Sequence, residues 1–175
     1  MGTIDIEQII ADYKLTPLDH EGGYFRRVFE SASQVETSSF QSPFHKEVLP
    51  AVSAIYYLIT SDSYSALHRL SSHEVWTFIC GDPAEQLTID PSNVLTVNLI
   101  GSQVGNGGIS HVPSRYWQGT KLIKGGEHGF ALFSTVVVPG YDHSDFTMAD
   151  ASLLNSLEQK ERELARQFLP HGGTL

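Results

Sequence analysis

Short stretches in which apolar and polar residues alternate fill the middle of the chain. Alternation with a period of two is typical of strands that bury one face, and the Gly, Pro, Asn and Asp between the stretches are typical of tight turns. The pattern predicts strands at 51–60, 64–70, 73–80, 86–90, 94–100, 110–112, 119–123 and 130–138. Short strands at close intervals indicate an all-β fold, an antiparallel sandwich or barrel.

Helical spacing of apolar residues replaces this alternation near both ends of the chain. A helix with Thr3 as its candidate N-cap is predicted at the N-terminus, and a second, capped by Asp150, is predicted over about 150–168. Their apolar faces carry Ile6, Ile9, Ile10 and Tyr13 in the first, and Leu153, Leu157, Leu164 and Phe168 in the second. We expect both helices to flank a barrel that occupies about 15–150.

The composition is that of an ordinary globular chain, and we expect one domain over 1–175. The formal net charge of −9 disfavours a nucleic-acid partner, which requires clustered Lys and Arg. No apolar run approaches the ~20 residues of a membrane span, so no membrane partner is expected. Because Cys80 is the single cysteine, no intrachain disulfide can form, and a cytoplasmic location is expected.

The stretch SALHRLSSHEVWTFICG, 65–81, carries the most chemistry. On a strand, Glu74, Trp76, Phe78 and Cys80 share one face, while His73 points to the other. A carboxylate among aromatic residues is costly to bury unless it is paired, hydrogen-bonded or used. Glu74 is therefore either a candidate site residue or a half-exposed residue at the rim.

Two adjacent glycines, Gly22 and Gly23, precede the strand that begins at Tyr24. Glycine permits a positive φ, so the pair either makes a turn or lets the backbone approach a ligand. In the second case Tyr24 and Arg26, on one strand face, would reach the same space. The following segment, 31–50, is rich in Ser, Gln, Thr and Pro and predicts a long surface loop, a common place for a lid.

Two spacings resemble the motifs of the cupin superfamily, small jelly-roll barrels that often hold a divalent metal on three histidines and a glutamate. His68 and Glu74 match the first motif, with Gly81 after it, and Pro113 matches the second. Leu70 and Gln118 stand where the other two histidines are expected. Leu70 cannot coordinate, and a Gln carbonyl adds little affinity for a transition metal. We therefore expect no metal or other cofactor; if a divalent metal binds, its ligands would be His68, Glu74 and Gln118.

Four segments, HEGGYFRR, ALHRLSSHEVW, VPSRYWQG and VVPGYDHSDF, follow in this order. They resemble the cupin-5 family, a domain of unknown function, over about 15–150. The resemblance implies a double-stranded β-helix, usually dimeric, with kinship to sugar-nucleotide epimerases and seed storage proteins. It supplies no established reaction.

By this resemblance a small-molecule pocket lies in the barrel mouth. The expected lining is His68 and Glu74 as catalytic candidates, with Tyr24, Arg26, Trp76, Trp117 and Gln118 as ligand-binding candidates. An imidazole can exchange protons near neutral pH, Glu74 would orient it, and Arg26 would hold a carboxylate or phosphate. A polar cluster that fills the barrel and binds no ligand is the structural alternative.

Three functions are compatible with these residues. The first is a metal-independent isomerase or epimerase that acts on a sugar-like or carboxylated molecule. The second is a non-catalytic binding protein or sensor that uses the same pocket, and the third is a metal-dependent cupin enzyme. A homodimer is expected in each case, because barrel edge strands and the apolar outward residues Val75 and Ile79 need a cover.

Overall fold

Two antiparallel sheets face each other in the computed structural model, which describes residues 5–103 and 105–170. The first sheet has six strands in the order β1 (Thr16–Pro17), β2 (Tyr24–Glu30), β5 (Ser53–Thr60), β12 (Phe130–Val138), β7 (His73–Gly81) and β10 (Ile109–Val112). The second has five, in the order β13 (Phe146–Met148), β6 (Ser65–Leu70), β11 (Trp117–Leu122), β8 (Ala84–Ile89) and β9 (Leu95–Ile100). The prediction of an all-β jelly roll is confirmed.

Aromatic side chains fill the closed end of the space between the sheets. The rings of Tyr57 and Phe133 both meet the Trp76 ring edge to face, each with a centroid distance of 5.4 Å. All three side chains are buried, and offset or edge contacts of this kind stabilise beyond the area they bury. Tyr57 and Trp76 also line the cavity between the sheets, so this aromatic cluster forms part of its wall.

The outer face of the second sheet is covered by the C-terminal segment. The single helix predicted over 150–168 is wrong: a 3₁₀ helix (Ala151–Ser156) is followed by α2 (Gln159–Arg166). Asp150 does cap the first of these, since its side chain accepts a hydrogen bond from the Ser152 backbone N–H. Leu154 and Phe168 are buried against Leu67 of β6, so the segment closes the core from outside.

The N-terminal helix α1 (Ile6–Asp12) covers part of the outer face of the first sheet. Its N-cap is Asp5, whose side chain accepts from the Glu7 backbone N–H, and the predicted cap Thr3 lies outside the described residues. Ile9 is buried against Leu58 and Leu132. No helix in the described ranges is apolar over a length that would cross a membrane.

One irregularity in β7 moves Cys80 to the opposite face from the predicted one. Phe133 of β12 pairs with Phe78, but its neighbour Leu132 pairs with Cys80, so Ile79 is an extra residue. A bulge of one residue reverses the alternation that follows it. Phe78 therefore packs inside the barrel, whereas Cys80 packs outside near α1.

The predicted surface loop at 31–50 contains a small hairpin, β3 (Gln34–Glu36) with β4 (Val48–Pro50), and a 3₁₀ turn (Thr37–Ser39). Its far end is tied to the segment that precedes β13. The His45 ring and backbone N–H both bond the Asp145 carboxylate, and Lys46 pairs with Asp142. The loop is thus anchored beside the open end of the barrel.

Candidate functional site

A cavity of about 240 Å³ lies between the sheets at the open end of the barrel. Apolar and aromatic side chains make most of its wall, with a few polar groups among them, which is the usual makeup of a small-molecule site. The lining residues are Leu18, Glu21, Phe25, Arg27, Ser53, Ile55, Tyr57, His68, Leu70, Glu74, Trp76, Thr135, Val137, Tyr141 and Phe146.

His68, on β6, is buried in the cavity wall, with only 2% of its surface exposed. Its Nδ1 lies 2.8 Å from the Ala66 carbonyl oxygen. A carbonyl can only accept a hydrogen bond, so Nδ1 carries the proton and the neutral ring has its lone pair on Nε2. No described residue hydrogen-bonds Nε2. The backbone therefore sets the tautomer and leaves Nε2 as the nitrogen available to a ligand.

A chain of hydrogen bonds runs from Trp76 through Gln118 to Glu74. The Trp76 indole N–H donates to Gln118 Oε1 at 3.1 Å, and Gln118 Nε2 donates to Glu74 Oε2 at 2.7 Å. Because an indole nitrogen can only donate, the carbonyl of Gln118 must face it and the amide nitrogen must face the carboxylate. Gln118 thus holds the Glu74 carboxylate in place at the cavity wall.

Burial raises the pKa of Glu74, and the positive charge available at His68 offsets part of this rise. A carboxylate held inside a protein costs free energy whenever it is ionised. The Thr135 hydroxyl lies close enough to help lower the Glu74 pKa, but it makes no hydrogen bond of normal geometry. The buried Glu74 carboxylate therefore lowers the stability of the fold. Ionisable groups with pKa values shifted in this way are common at functional sites.

Glu74→Gln is expected to raise the free energy of unfolding at neutral pH. Since the folded pKa lies above the unfolded one, the wild type loses stability as pH rises through the folded pKa, and an amide does not. The gain should shrink as pH falls below the ordinary glutamate pKa. Urea unfolding of wild type and Glu74→Gln at several pH values measures this gain in the free energy of unfolding, with Glu85→Gln as the control. A Glu74→Gln variant that is less stable than wild type at neutral pH would refute the prediction.

A second carboxylate, Glu21, lies close to His68 in the cavity wall. Glu21 Oε1 is 3.8 Å from His68 Nδ1 and accepts a hydrogen bond from the Ser65 hydroxyl at 2.6 Å. Glu21 and Glu74 thus bring two carboxylates to the cavity wall that also carries His68. Glu21 belongs to the quoted segment HEGGYFRR, but its role was not predicted.

Tyr141 lines the cavity and connects it with solvent. Burial, together with the negative charge of Glu21, raises the pKa of Tyr141 to about 12, so the phenol keeps its proton. Its hydroxyl lies 3.1 Å from Nδ1 of the exposed His143, and the His143 ring stacks on Phe146. Phe146 also stacks on His68, with a centroid distance of 5.3 Å. Sequence reasoning missed these residues, although they lie in the quoted segment VVPGYDHSDF.

Tyr24 and Arg26 are on the wrong face of β2 to reach the cavity, which corrects their predicted placement. In the observed register Phe25 pairs with Tyr57 and points inward, so Tyr24 and Arg26 point outward. The Arg26 guanidinium stacks over the Tyr56 ring at 5.4 Å. The arginine that does line the cavity is Arg27, and it is paired with Glu30.

Trp117 also lies outside the cavity, contrary to expectation. It precedes Gln118 on β11, and successive side chains point to opposite faces. Its ring packs near the C-terminal segment, under the guanidinium of Arg69 at 4.5 Å. His68, Glu74 and Trp76 are brought together in the cavity wall as predicted, and Gln118 is bonded to two of them.

The Gly22–Gly23 pair is required by the backbone conformation of the turn before β2. Both have positive φ, and a Cβ on Gly22 would lie 2.2 Å from the Tyr64 carbonyl oxygen. The Gly22 carbonyl accepts a hydrogen bond from the Tyr57 hydroxyl at 2.7 Å. Of the two alternatives, the structure favours the tight turn, which places Glu21 against β6.

The side chains at the cupin metal positions do not fit a metal centre. Leu70 presents hydrocarbon to the cavity, and the Gln118 carbonyl is already bonded to Trp76. Within the described ranges no group of three or more His, Cys, Asp or Glu is arranged to hold an ion. Two ligands, His68 and Glu74, fall short of the three or four that a catalytic zinc-type site uses.

Comparison with known proteins agrees with this architecture. A family model described as cupin superfamily (DUF985) matches residues 7–149. An uncharacterised protein of Saccharomyces cerevisiae, YML079W, is 27% identical over 150 residues, which cover 81% of this chain and 74% of the yeast protein.

Solved structures show the same fold. A hypothetical protein from Leishmania major superposes with a TM-score of 0.82 at 29% identity, covering 95% of this chain and 99% of the other. Protein SO0799 from Shewanella oneidensis superposes with a TM-score of 0.80 at 22% identity, covering 95% and 98%.

Proposed function

The chain belongs to the DUF985 family of the cupin superfamily, and from that premise we propose that it is a metal-independent isomerase or epimerase of a small polar molecule. The reaction class is acid–base proton transfer at a carbon next to a carbonyl group. His68 is the base, and Tyr141 is the proton donor. A cytoplasmic location is part of the proposal.

The observation that carries this proposal is the state of His68. Its proton is fixed on Nδ1 by the Ala66 carbonyl, its Nε2 lone pair is unpaired among the described residues, and Glu21 and Glu74 are both placed to stabilise the ring when it is charged. A general base needs a fixed tautomer, access to the substrate and stabilisation of its protonated form. A polar cluster that only filled the barrel would pair Nε2 as well.

The charges around the cavity favour a neutral, hydroxylated ligand over a carboxylated one. Two carboxylates line the cavity, and the cation that lines it, Arg27, is already paired with Glu30. The arginine expected to hold an anion, Arg26, lies on the outer face. An anionic ligand would therefore meet repulsion from Glu21 and Glu74, whereas sugar hydroxyls can donate hydrogen bonds to both.

His68 Nε2 takes the proton from the carbon next to the carbonyl, and the electron pair of that C–H bond forms an enolate. For epimerisation Tyr141 returns a proton to the opposite face of that carbon. The resulting phenolate regains its proton through His143, whose exposed ring exchanges with water, and His68 releases its proton to solvent.

Heavy water tests this proposal directly. The protein is incubated in deuterium oxide with separate aldoses, ketoses, sugar lactones, sugar acids and amino sugars, and mass spectrometry follows deuterium incorporation at carbon. Neutral hydroxylated compounds should incorporate deuterium, and His68→Asn should not support it. A compound that binds without exchange or product would instead identify a non-catalytic binding protein, which is the alternative function.

We expect no stoichiometric transition metal in the barrel of protein purified without chelator. The reason is the donor set, since Leu70 and Gln118 replace two ligand histidines. Elemental analysis of the wild type and of His68→Ala tests this. Close to one equivalent of Mn, Fe, Ni, Cu or Zn that disappears in His68→Ala would show a metal-dependent cupin enzyme instead.

A homodimer is the expected assembly. In the described ranges, the exposed apolar residues on the outer face of the first sheet include Ile109 (66%), Phe29 (53%), Ile79 (41%) and Val138 (37%). Neighbouring exposed apolar residues on a sheet that ends in the edge strand β10 are typical of a contact surface. Light scattering at micromolar concentration should give twice 19.3 kDa, and Ile109→Lys should shift the mass toward the monomer.

A further inference from the structure

Two histidines meet on the outer face of the first sheet, away from the cavity. His73 begins β7 and His111 lies on β10, in a register that makes them diagonal neighbours on one face. Glu74, the residue after His73, points to the opposite face and lines the cavity. Both imidazoles are exposed in the single protomer, so an ion in solution can reach them there without entering the barrel. They lie beside Ile109 and Val138, on the face proposed above as the dimer contact, so the ion reaches them in the monomer.

The separation of their nitrogens suits two ligands of one metal ion. His73 Nδ1 lies 3.1 Å from His111 Nε2. Two metal–nitrogen bonds of about 2.0–2.1 Å at an angle between about 90° and 110° place the nitrogens roughly 2.9–3.4 Å apart. The planes of the two rings differ by 22°, and the facing nitrogens share one hydrogen-bond proton. A metal can take the place of that proton once each exposed ring rotates so that both lone pairs point at the ion.

We propose that His73 and His111 form a surface site for a divalent late transition metal, Zn²⁺, Ni²⁺ or Cu²⁺. Imidazole suits these ions, whereas Mg²⁺ and Ca²⁺ prefer oxygen ligands. The imidazole that donates the hydrogen bond moves its proton to its other ring nitrogen, so both rings bind as neutral ligands. The two strands are hydrogen-bonded neighbours, which holds the pair in position before the metal arrives.

The protein supplies two ligands to this site. In the part of the chain that the structure describes, no third His, Cys, Asp or Glu joins the pair. Water fills the remaining positions, so we expect moderate affinity and ready exchange with chelators. This distinguishes the pair from a buried structural zinc site, in which four protein ligands close the coordination sphere.

The test is isothermal titration of Zn²⁺ or Ni²⁺ into chelator-treated protein that carries no affinity tag. Wild type should bind one equivalent, and Mg²⁺ should give no saturable heat. His73→Ala and His111→Ala should each weaken the affinity by more than the ~10- to 100-fold that loss of an outer-shell partner costs, because each removes a ligand. Electron paramagnetic resonance of the Cu²⁺ form should show two coordinated imidazole nitrogens in the wild type and fewer in either variant.

Two matched controls define the failure of this proposal. His128→Ala changes another exposed histidine, and His68→Asn changes the barrel; both should bind metal as the wild type does. The proposal is wrong if the wild type shows no saturable binding up to about 1 mM metal, or if His73→Ala binds unchanged. It is also wrong if His68→Asn loses the metal, since the ion would then lie in the barrel.

Discussion

His68→Asn should lower the rate of proton exchange at the substrate carbon by about 10²- to 10⁴-fold, the usual effect of removing a positioned acid or base. The asparagine amide nitrogen can occupy the place of Nδ1 and still donate to the Ala66 carbonyl. The buried hydrogen bond is thus kept while the basic Nε2 is lost. Because a base acts in the transition state, ground-state affinity should change little.

The measurement is deuterium incorporation into the substrate that the heavy-water screen identifies, together with its dissociation constant. His128→Asn, an exposed histidine outside the cavity, is the matched control and should exchange at the wild-type rate. Equal exchange by His68→Asn and wild type would remove His68 as the base. An affinity lost in parallel with the rate would point instead to a binding role.

Trp76→Ala should lower the free energy of unfolding by about 3–5 kcal/mol, the range for removing a buried large aromatic residue. Only 1% of Trp76 is exposed, and it contacts both Tyr57 and Phe133. The loss is large compared with the ~5–15 kcal/mol that hold a typical domain folded. Urea unfolding followed by circular dichroism measures it.

Trp76→Phe separates the hydrogen bond from the packing. Phenylalanine keeps much of the aromatic contact but leaves the buried Gln118 carbonyl without its donor, which costs about 1–3 kcal/mol. The freed amide can then rotate and release Glu74, so exchange activity should fall as well. Trp117→Phe is the control, since its ring is half-buried outside the cavity. If Trp76→Phe costs no more than Trp117→Phe, Trp76 does not hold Gln118 in place.

The site itself was predictable only in part. The resemblance to the cupin motifs predicted His68, Glu74 and Trp76 as lining residues, and the structure places all three in the cavity wall. Glu21 and Tyr141 carry no such local signal. Each lies in a loop, and only the packing of that loop against β6 or β13 gives it a place beside His68.

Sequence alone determined the all-β fold, most strand positions and the family. These depend on the period of hydrophobic alternation, on turn residues and on short segments in fixed order, which are all local properties. The observed strand β12 (Phe130–Val138) matches its prediction of 130–138, and β7 (His73–Gly81) extends its prediction by one residue.

Tertiary structure alone decided which face each strand presents to the cavity. Alternation fixes a period of two but not which set of residues faces inward. A shift of one residue along β2 would therefore place Tyr24 and Arg26 in the cavity instead of Phe25 and Arg27. The bulge at Ile79 moves the Cys80 side chain to the opposite face of the sheet for the same reason. The orientation of Gln118 depends on an indole 42 positions away, and the His73–His111 contact joins residues 38 apart. Contacts of this range form only when the strands pair, so no local pattern in the chain encodes them.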